Sequence, residues 1–120
     1  MREFKYFDVE QRGDITELHL ADTKFFATER YADLRDELLA FVEQERPRRL
    51  LIDLSRVEYC STAVMGTLIM VQRQLALQPA TGVMKLCGAS EVVGEAFQRL
   101  RLDRGVFDMH RTSVDAIRTF

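Results

Sequence analysis

The sequence predicts a single small α/β domain in which helices cover a mixed, mostly parallel central sheet. In the second half of the chain, short β-rich runs alternate with helical runs, which is typical of parallel strands joined by right-handed crossovers. Near the start, two β-rich runs follow each other directly, which indicates an antiparallel pair. A length of 120 residues is enough for one hydrophobic core. We therefore expect one domain over residues 1–120.

Local patterns predict the first strands and the first helix. Residues 4–9 and 15–20 are rich in β-forming side chains, and Gly13 supplies a permissive backbone for a hairpin turn between them. A helix comes next, with Thr28 as its candidate N-cap and Pro47 beyond its end. Helical spacing predicts an apolar stripe formed by Tyr31, Leu34, Leu38, Phe41 and Val42.

The middle of the chain predicts a central strand followed by a buried helix. The run "RRLLIDL" at residues 48–54 is short and continuously apolar in its middle, which is typical of a strand at the centre of a parallel sheet. Residues 61–77 follow as a second helix. The first half of this helix is apolar nearly all round, which predicts that it is largely buried. The side chains concerned are Ala63, Val64, Met65, Leu68, Ile69, Met70 and Val71.

The rest of the chain repeats the alternation of strands and helices. The predicted elements are a strand, a helix, a short strand and a closing helix, at residues 83–87, 89–102, 105–110 and 112–120. Ser90 is the candidate N-cap of the first of these helices, and Thr112 or Ser113 caps the second. The side chains predicted to face inward are Val92, Val93, Ala96, Phe97 and Leu100 in one helix and Val114, Ile117 and Phe120 in the other.

Composition and charge exclude several classes of function. The net charge is −2, so there is no excess of positive charge to hold nucleic acid. The start of the sequence has no secretory signal, and no apolar run approaches the length of a membrane span. Two cysteines are too few for a disulfide framework and lack the close spacing of a zinc site. We therefore expect a cytoplasmic protein with reduced thiols, no membrane insertion and no nucleic-acid partner.

No arrangement of side chains predicts catalysis. Cys60 stands next to Ser61, but His19 and His110 are distant in sequence, and no nucleophile elbow is present. Cys60 and Cys87 lie near the carboxyl ends of neighbouring predicted strands, where a redox or metal role is geometrically allowed. Small buried residues are the preferred interpretation of both, and the histidines are interpreted as surface or satisfied core residues. We expect no enzyme activity, no metal ligand and no cofactor.

The segment between the central strand and the second helix is the candidate interface. A tyrosine and an arginine beside a helix start are typical of protein interfaces, although any solvated loop can contain them. At the helix start, unpaired backbone N–H groups and the helix dipole favour negative charge. Two interpretations of Ser61 stay open, an N-cap or a phosphorylation switch. The candidate partner-binding residues are Arg56, Glu58, Tyr59, Cys60, Ser61 and Thr62.

Two segments carry a resemblance to a known family: "LLIDLSRVEYCSTAVMGTLI" and "VMKLCGASEVVGEAFQRLRLDRGVFDMHRTSVDAIRTF". Together with the order of elements, they make the whole chain similar to a STAS domain, the fold of bacterial anti-sigma factor antagonists. Asp53-Leu54-Ser55 matches the family's strand end, and Ser61 and Thr62 fall on the two hydroxyl residues of its helix-opening motif. The resemblance implies that Ser61, the first hydroxyl, is phosphorylated, with Thr62 as the second candidate.

The sequence departs from the family motif at three positions. Cys60 stands where the family has Asp, Ala63 replaces the first Gly and Met65 replaces the second Gly, while Val64 keeps the apolar position. The family's Asp helps to position the serine for phosphoryl transfer, and this chain offers a thiol there instead.

The resemblance implies a regulatory binding protein. The predicted function is that of an anti-sigma factor antagonist, which binds a serine-kinase-type anti-sigma factor and frees a sigma factor. Phosphorylation of Ser61 would control its affinity. The alternative is a STAS scaffold subunit of a stress-signalling or lipid-transport complex that is never phosphorylated. The sequence leaves the identity of the partner and the oligomeric state open.

Overall fold

The computed structural model of the protein describes residues 4–21 and 31–120, which form five strands and four helices in the predicted order. The strands are β1 (Phe7–Arg12), β2 (Ile15–Leu20), β3 (Arg49–Asp53), β4 (Val83–Cys87) and β5 (Asp108–His110). The helices are α1 (Tyr31–Glu45), α2 (Thr62–Leu77), α3 (Glu91–Arg99) and α4 (Ser113–Thr119). None of these four helices combines the length and the apolar character that a bilayer span requires.

The five strands form one sheet whose spatial order equals their order along the chain. β1 is antiparallel to β2, and all other neighbouring strands are parallel. Because crossovers between parallel strands are right-handed, strands added on the same side each time place their connecting helices on the same face. α1, α2 and α3 accordingly pack on one face, here called the covered face, and α4 packs on the other, here called the open face. The predicted mixed, mostly parallel sheet is confirmed.

Alternate strand residues point to the covered face and build the hydrophobic core with the helices. Leu18 of β2, Leu50 of β3 and Leu86 of β4 are completely buried there. α2 contributes Leu68 and α3 contributes Phe97, both also completely buried. The predicted stripe of α1 is buried as well, in the form of Leu34, Leu38, Phe41 and Val42. β3 lies at the centre of the sheet, as its continuous apolar run predicts.

The open face carries a small apolar patch and a larger charged surface. α4 is short, and it packs Ala116 against Leu51 of β3 and Cys87 of β4. The part of this face near β1 and β2 lies beyond α4, and period-two alternation places Glu10 and Glu17 there. Charged side chains can therefore lie together on the part of the open face that α4 does not cover.

Three helices begin at residues that the sequence singles out as caps. The hydroxyl oxygens of Ser61 and Ser90 each accept a hydrogen bond at 3.2 Å from the backbone N–H three residues later. Thr112 does the same at 3.1 Å, which decides the choice between Thr112 and Ser113. The candidate cap Thr28 and the side chain of Tyr31 lie outside the described residues.

Four side chains predicted to face the core are exposed instead, so those predictions are wrong. They are Met70 in α2 (44% exposed), Val92 in α3 (65%), Leu100 just after α3 (49%) and Val114 in α4 (56%). Each helix packs on the sheet or its neighbours along one side, and residues at the margin of the apolar stripe lie beyond that contact. α2 is consequently buried along one side, with Ile69 half-buried, rather than nearly all round.

Three element boundaries also differ from the prediction. β1 runs from Phe7 to Arg12 instead of over residues 4–9, because its pairing with β2 continues to the turn at Gly13. β5 is shorter than the predicted 105–110. α3 ends before residue 102 because Arg101 adopts a positive φ of 56°. Its N–H and that of the next residue donate to two carbonyls of the last turn, which is a Schellman motif with arginine in the usual place of glycine.

Candidate functional site

The connecting loop, residues 54–61, joins the end of β3 to the start of α2. The N–H of Leu54 donates to the carbonyl of Cys87 in β4 at 2.8 Å, and the N–H of Val57 donates to the carbonyl of Leu54 at 3.0 Å. The side chains of Leu54 and Val57 are buried in the core of the covered face. The sheet and the core therefore fix the first half of the loop, and with it the point at which α2 begins.

Ser61 is the N-cap of α2. Its backbone is extended (φ −75°, ψ 163°), and its hydroxyl oxygen accepts a hydrogen bond from the N–H of Val64 at 3.2 Å. Its carbonyl accepts a hydrogen bond from the N–H of Met65 at 3.0 Å. Because Ser61 is only 8% exposed, its hydroxyl is used for capping and has little contact with solvent in this conformation.

Four of the six candidate interface residues form the exposed surface around Ser61: Arg56, Glu58, Tyr59 and Thr62. The guanidinium of Arg56 donates to a carboxylate oxygen of Asp8 at 2.7 Å and so ties the loop to β1. Cys60 is 4% exposed and lies beneath this surface. The candidate site therefore consists of an exposed rim around a serine and a cysteine that are both mostly covered.

Both cysteines are buried free thiols. Burial raises the pKa of the Cys60 thiol to about 12. Burial, with smaller contributions from the negative charges of Asp53 and Glu17, raises the pKa of the Cys87 thiol to about 12. A thiol with such a pKa stays protonated at neutral pH and is a poor nucleophile and a poor metal ligand. This environment suits small buried residues.

We expect both thiols to react slowly with a disulfide reagent while the protein is folded. Only the thiolate attacks such a reagent, and burial lowers both the thiolate fraction and the access to it. Labelling followed by absorbance should be roughly tenfold or more slower in buffer than in urea. Rapid labelling of Cys60 in buffer would instead mean that the connecting loop opens readily.

A small cleft of about 150 Å³ lies between the connecting loop and α3. Its lining includes Tyr59 and Cys60 from the loop and Val92, Ala96 and Arg99 from α3. Tyr59 is 50% exposed and Val92 is 65% exposed. An exposed aromatic ring and an aliphatic side chain beside an arginine are typical of protein interfaces. The sequence interpretation missed this contribution of α3 because it placed Val92 in the core.

The open face brings together charged residues that the sequence interpretation treated separately: Glu10 of β1, Glu17 and His19 of β2, and Asp53 at the end of β3. The strand register places Glu10 opposite Glu17 and His19 opposite Asp53. His19, which is distant in sequence from these acidic residues, therefore lies among three carboxylates. At the other edge of this face, Nε2 of His110 lies 2.9 Å from Oδ1 of Asp108. Alternation along a strand shows which of its residues share a face. Only the strand register shows which residues of neighbouring strands lie side by side on that face.

Two larger cavities lie away from the connecting loop. One, of about 580 Å³, is lined by residues that include Phe4, Val9 and Phe41 and lies near the starts of β2 and β3, whereas the connecting loop leaves the end of β3. The other, of about 610 Å³, lies beside the segment after α3 and is lined by Arg101 and Arg104 among others. Among the described residues that line these two cavities, none is a cysteine, serine or histidine.

The order of elements and the serine at the start of α2 fit one known family. A family model described as the STAS domain matches residues 6–116. Because this match spans nearly the whole sequence, the chain belongs to the STAS domain family. Among curated proteins, none matches the sequence significantly. The family predicted from the two sequence segments is thus confirmed.

Solved structures share the fold at low sequence identity. An anti-sigma factor antagonist from Mycobacterium paratuberculosis has a TM-score of 0.76 at 20% identity, with 94% of this chain and 91% of that chain covered. The phosphorylated form of the Bacillus cell fate determinant SpoIIAA has a TM-score of 0.62 at 17% identity, with 94% and 97% covered. A chain of the stressosome, described as a signal integration and transduction hub, has a TM-score of 0.66 at 19% identity, with 93% and 96% covered. At these identities the likeness shows the fold.

Proposed function

We propose that this protein is an anti-sigma factor antagonist that binds a serine-kinase-type anti-sigma factor and so frees a sigma factor. Phosphorylation of Ser61 lowers the affinity of this binding. In this proposal the whole chain, residues 1–120, acts in the cytoplasm as one non-enzymatic STAS domain without a nucleic-acid partner. Membership of the STAS family and the similarity of fold to phosphorylated SpoIIAA support the proposal.

The position of Ser61 carries the proposal. It opens α2 beside the exposed rim of the connecting loop, and the first turn of α2 has no acidic side chain. A phosphate there meets backbone N–H groups and the positive end of the helix dipole without a competing carboxylate. It also adds up to about two negative charges and three acceptor oxygens. A partner that packs against Tyr59 and Thr62 would meet this new charge within its contact.

Access to Ser61 requires a small opening of the helix start. Its hydroxyl is occupied by the N–H of Val64, and the residue is 8% exposed. An N-cap contributes only about 1 kcal/mol, so turning the hydroxyl outward requires fraying of the first turn and not unfolding of the domain. Thr62 is exposed without any such opening, which keeps it as the second candidate for phosphorylation.

The cleft beside α3 extends the proposed partner surface. Tyr59 and Val92 offer exposed apolar area, and Arg99 offers a donor for a carboxylate of the partner. Ser61 lies next to Cys60, which lines this cleft. A phosphate on Ser61 therefore changes the charge of the same surface on which the partner is proposed to dock.

We expect Ser61→Ala to bind the anti-sigma factor as the wild type does and to accept no phosphate from it. Ser61→Glu should weaken binding by about tenfold or more, because it places a negative charge at the contact. The purified protein would be incubated with ATP and the serine kinase encoded beside its gene. Mass spectrometry would then locate the phosphate, and calorimetry would measure the affinity of each variant.

Thr62→Ala is the matched control for labelling, since it removes the neighbouring hydroxyl and should leave the phosphate on Ser61 unchanged. Loss of the Ser61 cap costs only about 1 kcal/mol, so each variant should remain folded, which circular dichroism can check. If phosphate never reaches Ser61 and all variants bind equally well, the switch is disproved.

One observation favours a second candidate function, the constitutive scaffold. Ser61 is mostly covered, and Cys60, a buried thiol, stands where the family has an Asp. Under this alternative Ser61 serves only as a cap and the chain is a permanent subunit of a larger assembly, as the similarity of fold to a stressosome chain suggests. Co-purification in a large complex, with no phosphate on Ser61, would favour the scaffold over the switch.

A further inference from the structure

The ring of His19 on the open face lies between carboxylates on both sides. Nδ1 lies 2.9 Å from Oδ2 of Asp53, whereas Nε2 lies 3.3 Å from Oε2 of Glu10 and 3.4 Å from Oε1 of Glu17. Because a carboxylate can only accept, Nδ1 donates its proton to Asp53, and Nε2 of the neutral ring then carries a lone pair. With the ring neutral, three atoms with lone pairs face one another, and Arg12 reaches one of them, with its Nη2 3.4 Å from Oε2 of Glu10.

The distances favour a shared metal cation over a shared proton. A charge-assisted N–H to carboxylate bond is about 2.7–2.9 Å long, which fits the contact of His19 with Asp53 but not its contacts with Glu10 and Glu17. Around a cation with bonds of about 2.0–2.1 Å, tetrahedrally arranged ligand atoms lie about 3.3–3.4 Å apart. The two contacts of Nε2 have this length.

Glu17 supplies an independent observation. Its side chain is 1% exposed, and although Oε2 lies 2.8 Å from Nε of Arg12, that oxygen accepts no hydrogen bond from the described residues. Buried polar groups are normally hydrogen-bonded. By contrast Lys85, which is also buried on this face, donates to Asp108 and Thr119 at 2.7 Å each. Glu17 is thus a buried carboxylate with Oε2 beside Arg12 but not hydrogen-bonded and with Oε1 3.4 Å from Nε2 of His19, an arrangement that leaves Oε1 available to a metal ion.

The charges and the exposure of the cluster fit a divalent cation. Glu10, Glu17 and Asp53 carry three negative charges, and Arg12 compensates one of them. Two negative charges are left when His19 is neutral, and a divalent cation balances them. The side chain of Glu10 is 50% exposed and that of His19 is 20% exposed, so the cluster is open to solvent.

We propose that Glu10, Glu17 and His19 bind a divalent transition-metal cation of the Zn²⁺ type, with Asp53 as the positioning residue that holds the ring of His19. One ligand atom from each of the three residues lies within 4.8 Å of the others. An imidazole with two carboxylates suits such cations, and a carboxylate behind a ligating histidine is the usual second partner of its ring. Three protein ligands leave one position for water or for a side chain of a partner.

Asp53 connects this site to the connecting loop. One oxygen of its carboxylate faces His19, and the other accepts a hydrogen bond from the N–H of Ser55 at 2.8 Å. The site itself is independent of the proposed phosphorylation, because its ligands come from β1 and β2 and its test needs no partner protein.

The test is a titration of the intact protein with Zn²⁺, followed by calorimetry and by NMR of the imidazole nitrogens. We expect one cation per chain and a shift of the Nε2 signal of His19, with His110 unchanged as the internal reference. His19→Ala and Glu10→Gln should each weaken binding by more than about tenfold, and Asp53→Asn should weaken it by about 10–100-fold. His110→Ala is the matched control and should bind like the wild type.

Glu10→Gln keeps the test valid if other variants fail to fold, because Glu10 is half exposed and its loss does not disturb the core. The proposal is wrong if Zn²⁺ does not bind, or if binding persists unchanged in His19→Ala and Glu10→Gln. It is also wrong if blocking the two thiols abolishes binding, which would place the cation on the cysteines. A His19 ring that is protonated on both nitrogens and unaffected by Zn²⁺ would identify the cluster as an ion-pair network instead.

Discussion

Replacement of Leu68 by alanine is expected to lower the free energy of unfolding by about 2–5 kcal/mol. Leu68 is 0% exposed in the first half of α2 and belongs to the cluster that joins α2 to the covered face of the sheet. The loss combines the transfer free energy of the removed methyl groups with the cost of a cavity that close-packed neighbours fill only in part. Chemical denaturation followed by circular dichroism measures it.

Met70→Ala is the matched control in the same helix. Met70 is 44% exposed, so its truncation should change the free energy of unfolding by less than about 1 kcal/mol. Ile69 is half-buried, so its truncation should cost an intermediate free energy of unfolding, although the sequence pattern places it with Leu68 in the largely buried part of the helix. Equal losses for Leu68→Ala and Met70→Ala would contradict the orientation of α2 described above.

Gly88→Ala is expected to cost about 2–4 kcal/mol of stability, from two separate sources. Gly88 has a φ of +75°, in the left-handed region that disfavours a side chain. A Cβ atom there would lie 2.7 Å from Oδ1 of Asp53 and 3.2 Å from Cβ of Ser55. Asp53 would have to move, so this variant should also disturb the contact between Asp53 and His19. Thermal and chemical unfolding give the loss of stability, and the imidazole signals of His19 report the movement.

Gly105→Ala separates the two sources. Gly105 has a φ of +81°, close to that of Gly88, but a Cβ atom there would meet nothing within 4 Å. Its substitution should cost only the conformational part, about 1–2 kcal/mol. The difference between the two variants measures the crowding at Asp53. If the two variants lose the same free energy of unfolding, Asp53 moves aside without cost and does not hold the ring of His19 in a fixed place.

The type of each helix and strand was predictable because it depends on a local pattern of apolar residues or on a capping residue. The stripe of α1, the apolar run of β3 and the capping hydroxyls of Ser61 and Ser90 are all properties of neighbouring residues. The end of α3 was not predictable in this way. The left-handed residue that stops it is Arg101, and arginine gives no signal comparable to that of glycine.

The candidate interface and the charged cluster differ in how far the sequence could define them. The connecting loop is continuous in sequence, so its residues could be named together before its conformation was known. The low exposure of Ser61, by contrast, depends on tertiary contacts, which no local sequence pattern predicts. The cluster of Glu10, Glu17, His19 and Asp53 joins three strands, and a shift of one residue in register would move every side chain of a strand to the other face.

The sequential strand order allows the chain to fold by stepwise addition. Because each strand pairs with its neighbour along the chain, no strand has to enter between two others that are already paired. The sheet can therefore grow from the β1–β2 hairpin by one helix–strand unit at a time, also during synthesis on the ribosome, where the N-terminal part emerges first. β5 and α4 join last. Until they arrive, Leu51 and Cys87 lack the cover of α4, so the nascent chain exposes its apolar patch on the open face until α4 has emerged.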